Sequence, residues 1–216
     1  MVYESVPQIG FNMYSPFWLL LPLFFLAFLF VFYKAMSFAF RKMGIPRHLV
    51  VPALVAILIG GLINIPIWRS GDATVAVNVG GAIIPVLISL YLLRRAPLIK
   101  TALAIAMVAT VSGLLAEVDA DGGITLHFGI LPLTAVGTAL ILAQRDAPPV
   151  AFIGGTIGGL IGVDLVHLGE TIHDGGAYLS IGGRGVFDGI VTTGIAAAIL
   201  AGLLWRKKQS DYQTVG

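Results

Sequence analysis

Seven apolar runs, separated by short polar segments, dominate the hydropathy pattern of the chain. At about 1.5 Å of rise per residue, a run of about twenty residues crosses the hydrocarbon core of a bilayer as a helix. The pattern therefore predicts an all-α, polytopic integral membrane protein that forms a single transmembrane domain over residues 1–216. The predicted spans are Phe17–Met36, Leu49–Trp68, Val75–Leu93, Leu98–Ala116, Ile124–Ala143, Val150–Leu168 and Gly185–Trp205.

Composition supports this class and separates the first span from the others. Only 11% of the residues are charged, against about 25% in a soluble domain. Span one is rich in Phe and Leu, so we expect a peripheral helix that faces lipid. Spans two to seven are rich in Gly, Ala, Ser and Thr, which is typical of closely packed core helices. The chain has no cysteine, which excludes disulfides and thiolate metal ligands.

The basic residues predict the orientation of the spans. Eleven of the 13 Lys and Arg residues fall in the tail and in the loops after spans one, three and five, whereas Arg69 and Arg184 lie on the other side. By the positive-inside rule, the N-terminus is outside and the C-terminus is cytoplasmic. The net charge of +2 is divided among these loops, so no nucleic-acid partner is predicted.

Two aspartates inside apolar, glycine-rich runs are the main candidates for chemistry. Asp164 lies near the outer end of span six, and Asp188 lies near the outer end of span seven. An ionisable residue at membrane depth is costly, which marks it as a candidate functional residue. Because the two spans are antiparallel, we expect both carboxylates at one depth, where one would act as acid and the other as base. A capping or ion-pairing role, and ion or proton handling, remain open alternatives.

Polar residues in the other spans predict a cavity around this pair, with interhelical hydrogen bonding as the structural alternative. The predicted substrate-binding or cavity-lining residues are Asn64, Asn78, Ser89, His127, Gly183, Gly185 and Thr192. Gly154, Gly158 and Gly162 form a small-xxx-small series on span six, roughly opposite Asp164. We expect them to pack on a different helix from the one that Asp164 addresses. That helix could belong to this chain or to a second copy, so a homo-oligomer is compatible with the sequence.

A second constellation predicts a metal site as an alternative. The segment HLGETIHD carries His167, Glu170, His173 and Asp174, with the three- and four-residue spacing of zinc or other divalent-metal ligands. An ordinary solvated outer loop explains the same residues. The leading interpretation of the chain needs no cofactor.

Four motifs resemble those of a prokaryotic family of multispanning membrane proteins that carries a domain-of-unknown-function label. The motifs are Asn64-Ile65-Pro66, NVGGAIIPVLISLYLL from Asn78, GGTIGGLIGVDLVHL from Gly154 and SIGGRGVFDGIVTTGI from Ser180. This resemblance covers roughly residues 50–204. It implies a shared fold and a multi-pass location in the plasma membrane of a prokaryote.

A looser resemblance is to the presenilin and signal-peptide-peptidase-like intramembrane aspartyl proteases. Those enzymes carry one catalytic aspartate on each of two neighbouring helices, and the resemblance assigns these positions to Asp164 and Asp188. Residue 163 is Val where that family has Tyr, and Gly185-Val186-Phe187-Asp188 replaces its Gly-x-Gly-Asp motif.

The sequence thus leads to three functional hypotheses. The first is a di-aspartyl intramembrane protease that cuts transmembrane segments near the outer face, with membrane lipid and transmembrane peptides as partners. The second is a cation- or proton-coupled transporter or channel that uses the same acids with His127 and His167. The third is a metal-dependent membrane hydrolase built on HLGETIHD.

Overall fold

The computed structural model describes residues 17–70, 73–118, 124–127, 129–169, 178–183 and 189–213. These residues are mostly helical, as predicted. Three of the described helices are long and apolar enough to cross a membrane: Leu20–Lys42, Leu98–Leu115 and Gln144–Leu165. Four shorter apolar helices each overlap another predicted span: Arg47–Gly60, Val79–Leu93, Ile130–Leu142 and Thr192–Leu204.

The helices are α1 (Phe17–Lys42), α2 (Val50–Gly60), α3 (Ile84–Leu93, with a π-helical turn at Val79–Ile83 before it), α4 (Leu98–Leu115), α5 (Ile130–Leu142), α6 (Ala147–Ile153, continued by π-helical stretches at Gly154–Gly158 and Leu160–Leu165) and α7 (Gly189–Gln213). The strands are β1 (Asn64–Ser70), β2 (Ala73–Asn78), β3 (Glu117–Val118), β4 (Ile124–Thr125) and β5 (Tyr178–Ile181). Short 3-10 turns at Arg47–Leu49 and Gln144–Asp146 lead into α2 and α6.

Helix α1 is apolar and exposed in its N-terminal part, as expected of a helix that faces lipid. Its side chains from Leu20 to Phe28 are exposed, whereas Met36 and Phe40 are buried in the core. The helix continues to Lys42, beyond the predicted end at Met36, because its last turns pack against α2 and α7.

The small-residue series on α6 packs within the chain, against α4. A Cβ at Gly158 would press on Val108, and a Cβ at Gly162 would overlap Ser112 and the Ala109 carbonyl. Such close backbone approach is the usual role of small residues between membrane helices. Asp164 instead bonds to the chain after β5. The glycines and Asp164 therefore contact different elements, and the partner of Asp164 is a turn where the sequence predicted a helix.

Two predicted spans are strands at one end, and the fold is not all-α. Span Leu49–Trp68 is helical only to Gly60 and then forms β1, and span Val75–Leu93 begins as β2. Two glycines end α2, since glycine is unfavourable in a helix interior. Pro66 cannot continue a helix, and the β-branched residues before Asn78 favour a strand. Residues 62–68 are apolar except for Asn64, and this pattern concealed the change from helix to strand.

The other spans differ from the prediction mainly at their ends. Span Ile124–Ala143 begins in β4, and α5 starts at Ile130 after Gly129, whose φ of +97° suits glycine. Span Val150–Leu168 starts earlier, at Ala147, and its continuous helix ends at Leu165. Span Leu98–Ala116 matches α4 to within one residue.

A three-stranded sheet gathers one end of the helices. Its order is β1-β2-β5, with β1 antiparallel and β5 parallel to β2. Because β1 follows α2, β2 precedes α3 and β5 follows α6, the sheet lies where α2 and α6 end and α3 begins. At the opposite end of α2 and α3, the Arg95 guanidinium donates to the Gly44 carbonyl at 3.3 Å. Sheet and basic loops thus lie at opposite ends of these helices.

Candidate active site

Asn78 ties the end of β2 to the end of α2. Its Nδ2 donates to the Gly61 carbonyl at 3.0 Å and to Asn64 Oδ1 at 3.1 Å. Its Oδ1 accepts the Gly81 N–H at 2.6 Å and so caps the π-helical turn that opens α3. The side chain is fully buried. A buried amide with this many partners holds its neighbours in fixed positions.

Ser180 extends this network to β5, where it lies opposite Ala76 in the parallel register. Its Oγ is 2.8 Å from Asn64 Oδ1 and 2.6 Å from the Gly183 carbonyl. A hydroxyl carries one proton, so it donates fully to only one of these acceptors at a time. Asn64, Asn78 and Ser180 therefore connect all three strands of the sheet.

The turn after β5 carries the contact that reaches Asp164. Gly182 and Gly183 have φ values of +84° and +86°, a left-handed conformation that glycine adopts without strain. This turn directs the Gly182 N–H at Asp164 Oδ2, 2.6 Å away. Asp164 lies in the last π-helical stretch of α6 and is only 7% exposed. A short bond from a backbone N–H fixes the position of the carboxylate.

Glycines allow the end of α2, the start of α3 and the turn after β5 to approach one another until their backbones are in contact. A Cβ at Gly81 would overlap the Gly182 carbonyl, and a Cβ at Gly80 would overlap the Gly61 backbone. A Cβ at Gly182 would lie 2.6 Å from the Ala82 N and Cβ atoms. The start of α3 therefore forms one wall of the site, and side chains larger than hydrogen have no room there.

The structure brings some of the predicted cavity residues together and separates others. Asn64, Asn78 and Gly183 belong to the network described above. Ser89 is buried on α3, where its Oγ has no hydrogen-bond partner among the described residues. His127 is exposed and lines a surface depression with Leu115, Glu117 and Leu126. Thr192 is half-buried in α7.

Several predicted residues lie outside the described residues. They are Asp188, Gly185, Glu170, His173 and Asp174. Of the predicted metal ligands, only His167 is described; it is buried, and its Nδ1 lies 3.1 Å from the Val163 carbonyl. Within the described ranges, no three His, Asp or Glu side chains are grouped so that they could hold a metal ion. Both the aspartate pair and the metal site stay predictions.

Sequence reasoning did not identify Ser180 and Gly182 as site residues. Both fall in the segment between predicted spans six and seven, for which no strand was predicted. A signal was present, because the alternation of Tyr178-Leu179-Ser180-Ile181 followed by two glycines is typical of a short strand that ends in a turn. The four-residue length of the strand left it weak beside the long apolar runs.

We expect Asn78→Ala to destabilise the protein by about 2 kcal/mol, because the buried Gly81 N–H and the Gly61 carbonyl would both lose a partner. Ser89→Ala is the matched control. It removes a buried hydroxyl that has no partner among the described residues, so we expect no loss of stability. Thermal unfolding in detergent measures both variants. Equal stability of the two would contradict the role assigned to Asn78.

Comparison with known proteins gives one match. A family model described as a protein of unknown function, DUF1614, matches residues 63–200. The matched region begins just before β1 and ends within α7, so it includes the sheet, Asp164 and the glycine turn. No curated protein and no solved structure matches the chain.

Proposed function

The chain belongs to the DUF1614 family of unknown function, and we propose that it is an intramembrane aspartyl protease. It would cut transmembrane segments near the outer face of a prokaryotic plasma membrane, with Asp164 and Asp188 as the catalytic pair. A single observation carries the proposal, namely the bond from the Gly182 N–H to Asp164 Oδ2.

This bond supports the pair because it ties the first aspartate to the segment that leads to the second. Asp164 ends α6, whereas Asp188 lies six residues after Gly182 and directly before α7. The bond therefore joins the end of α6 to the start of the segment that leads from β5 toward α7.

The proposed chemistry is that of a carboxylate pair that shares one proton. The ionised aspartate takes a proton from a water molecule as the water oxygen attacks the scissile carbonyl carbon. The resulting tetrahedral intermediate collapses as the protonated aspartate delivers its proton to the leaving amide nitrogen. The C–N bond breaks, a carboxylic acid and an amine leave, and the pair again holds one proton. Asp164 and Asp188 could fill either role.

The distribution of charge supports the proposed orientation. All five strands fall in segments that the positive-inside rule places on the outer side. The contact between Arg95 and Gly44 joins two basic loops at the other end, and Lys42 packs beside Gly202 of α7 near the basic tail. These contacts favour a multi-pass topology with a basic cytoplasmic end and Asp164 near the outer end.

Cation or proton transport is a second candidate, and one specific observation favours it. Ser89 Oγ and Thr156 Oγ1 are buried without a hydrogen-bond partner among the described residues. Unpaired hydroxyls inside a helix bundle could serve a passing ion. Proton or cation flux into liposomes, lost in Asp164→Asn, is the result that would favour this candidate over a protease.

The protease proposal is tested by incubating the purified protein with a panel of helical membrane peptides and identifying the products by mass spectrometry. We expect cleavage within the apolar segment, lost in Asp164→Ala and in Asp188→Ala. Exposed Asp146, at the other end of α6, provides the control variant Asp146→Ala. Cleavage that persists in both site variants would refute the proposal.

A further inference from the structure

Exposed apolar side chains follow one another along the chain from α2 onto the edge strand β1. On α2 they are Val51, Val55 and Ile59, whose spacing places them on one helix face. The exposed apolar residues that follow them are Leu62, Ile63, Ile65, Ile67 and Trp68. We refer to Leu62–Trp68 as the edge surface. Leu62 is 76% exposed and Ile67 is 59% exposed.

We propose that the edge surface inserts into the outer leaflet at the boundary between acyl chains and headgroups, with Trp68 at the level of the headgroups. The proposal rests on the membrane location proposed above. It assigns to phospholipid a surface that belongs to the sheet rather than to a membrane-spanning helix.

The pattern of side chains on β1 argues against contact with water alone. Successive residues of a strand point to opposite faces, and an antiparallel strand at a solvated surface carries polar residues on one of them. On β1, Ile65 and Trp68 pair with Val77 and Val75 across a register shift and so share one face, and this face is apolar although both side chains are exposed. Exposed Ile67 lies in the bulge between them. An apolar patch that also continues along α2 marks a surface that contacts lipid or protein.

The backbone of this edge argues against a peptide strand as its occupant. Pro66 has no N–H to donate, and the register with β2 shifts between Pro66 and Trp68. Proline and bulges are the features that protect sheet edges from pairing with another strand. A partner that needs no backbone pairing, such as lipid, fits this edge better.

Backbone hydrogen bonding also permits the surface to approach the acyl chains. Hydrocarbon tolerates only backbone groups that are bonded within the protein. The Leu62 N–H bonds to the Ile59 carbonyl at 3.1 Å, the Ile63 N–H bonds to Gly60 at 2.9 Å, and the Ile63 carbonyl accepts from Val79 at 3.0 Å. The residues nearest α2 are therefore bonded within the protein, whereas the outward-facing backbone groups of the edge strand β1 need water or headgroups as partners. This difference places β1 at the boundary with the headgroups and not among the acyl chains.

The length of the helix before the edge surface and the side chains at its end indicate how deep the edge surface lies in the bilayer. The helix Arg47–Gly60 is about 21 Å long at 1.5 Å per residue, shorter than a hydrocarbon core of about 30 Å. A helix that starts at the cytoplasmic boundary thus leaves the edge surface within the outer leaflet. Trp68 and exposed Arg69 follow at its end. Tryptophan is enriched at the membrane–water interface, and arginine binds lipid phosphates.

Fluorescence quenching by brominated lipids tests the proposal. The chain has three tryptophans, so Trp18→Phe with Trp205→Phe leaves Trp68 as the only one. In phosphatidylcholine vesicles we expect its emission to be quenched, and more strongly by bromines at acyl carbons 6 and 7 than at carbons 11 and 12. A Trp-free protein that carries Leu103→Trp on the exposed face of α4 provides the control for membrane insertion.

The possible results separate this proposal from the membrane location itself. Quenching in the Leu103→Trp control but not at Trp68 would overturn the proposal, and iodide in the aqueous phase would then report whether water covers the surface. An interface between two copies would instead show as a disulfide cross-link in Ile67→Cys, since the chain has no cysteine of its own. The absence of quenching both at Trp68 and in the Leu103→Trp control would contradict the membrane location instead.

Discussion

Replacement of Asp164 by asparagine is expected to reduce peptide cleavage by about 10²–10⁴-fold, the usual contribution of a general acid or base, while leaving the fold intact. Asparagine has the same shape, and its Oδ1 can still accept the Gly182 N–H. What the variant lacks is the ability to take up and release a proton. Asp164→Asn therefore separates a catalytic role of Asp164 from a purely structural one, which Asp164→Ala does not.

The measurement is the rate of peptide cleavage in proteoliposomes, together with thermal unfolding of the same preparation. Asp146→Asn makes the same chemical change at an exposed position on the loop before α6, and we expect it to cleave at the wild-type rate. A stable Asp164→Asn protein with an unchanged rate would show that Asp164 only anchors the turn after β5. Loss of both activity and stability would show that the charge itself is needed for folding.

The second large effect is expected for Gly81→Ala, which should destabilise the protein by about 3 kcal/mol, toward the upper end for an overpacked core. The new Cβ would overlap the Gly182 carbonyl. That carbonyl belongs to the backbone of the turn and cannot rotate away. The turn would have to shift, and with it the Gly182 N–H that holds Asp164. We therefore expect the variant to lose stability and cleavage together.

Gly137→Ala is the matched control for Gly81→Ala. Gly137 lies inside α5, and a Cβ there would meet no atom within 4 Å. Alanine is favoured over glycine in a helix by roughly 0.5–1 kcal/mol, so we expect equal or higher stability. Thermal unfolding in detergent, followed by circular dichroism, measures both. A Gly81→Ala protein as stable as the control would contradict the close contact between α3 and the turn.

The helical part of the fold could be predicted because its signals are local. Helix α4 was predicted nearly to the residue, since a mostly apolar run ends there before Glu117. The packing of Gly158 and Gly162 followed from their four-residue spacing, which places both on one helix face. Neither inference needed knowledge of a distant part of the chain.

The sheet could not be predicted in the same way, because its pairing depends on distant residues. Ile63–Trp68 is apolar except for Asn64, so its hydrophobicity shows neither a helical nor a strand period. Only the pairing of β1 with β2 shows that these residues form a strand. Strand β2 in turn pairs with β5, which lies far along the chain. The same reason explains why Asn64 and Asn78 were predicted as cavity residues while Ser180, which joins them, was missed.

The parallel pairing of β2 with β5 has a consequence for the biosynthesis of the protein. Thr74 pairs with Tyr178, so one edge of β2 stays open while α3 to α6 are being synthesised and inserted. Contacts between such distant residues form late in folding. Gly182 reaches Asp164 only after β5 has docked, and the final helix must still follow. On the proposed function, we expect the nascent chain to be inactive, so that it would not cut the membrane segments that are being inserted beside it.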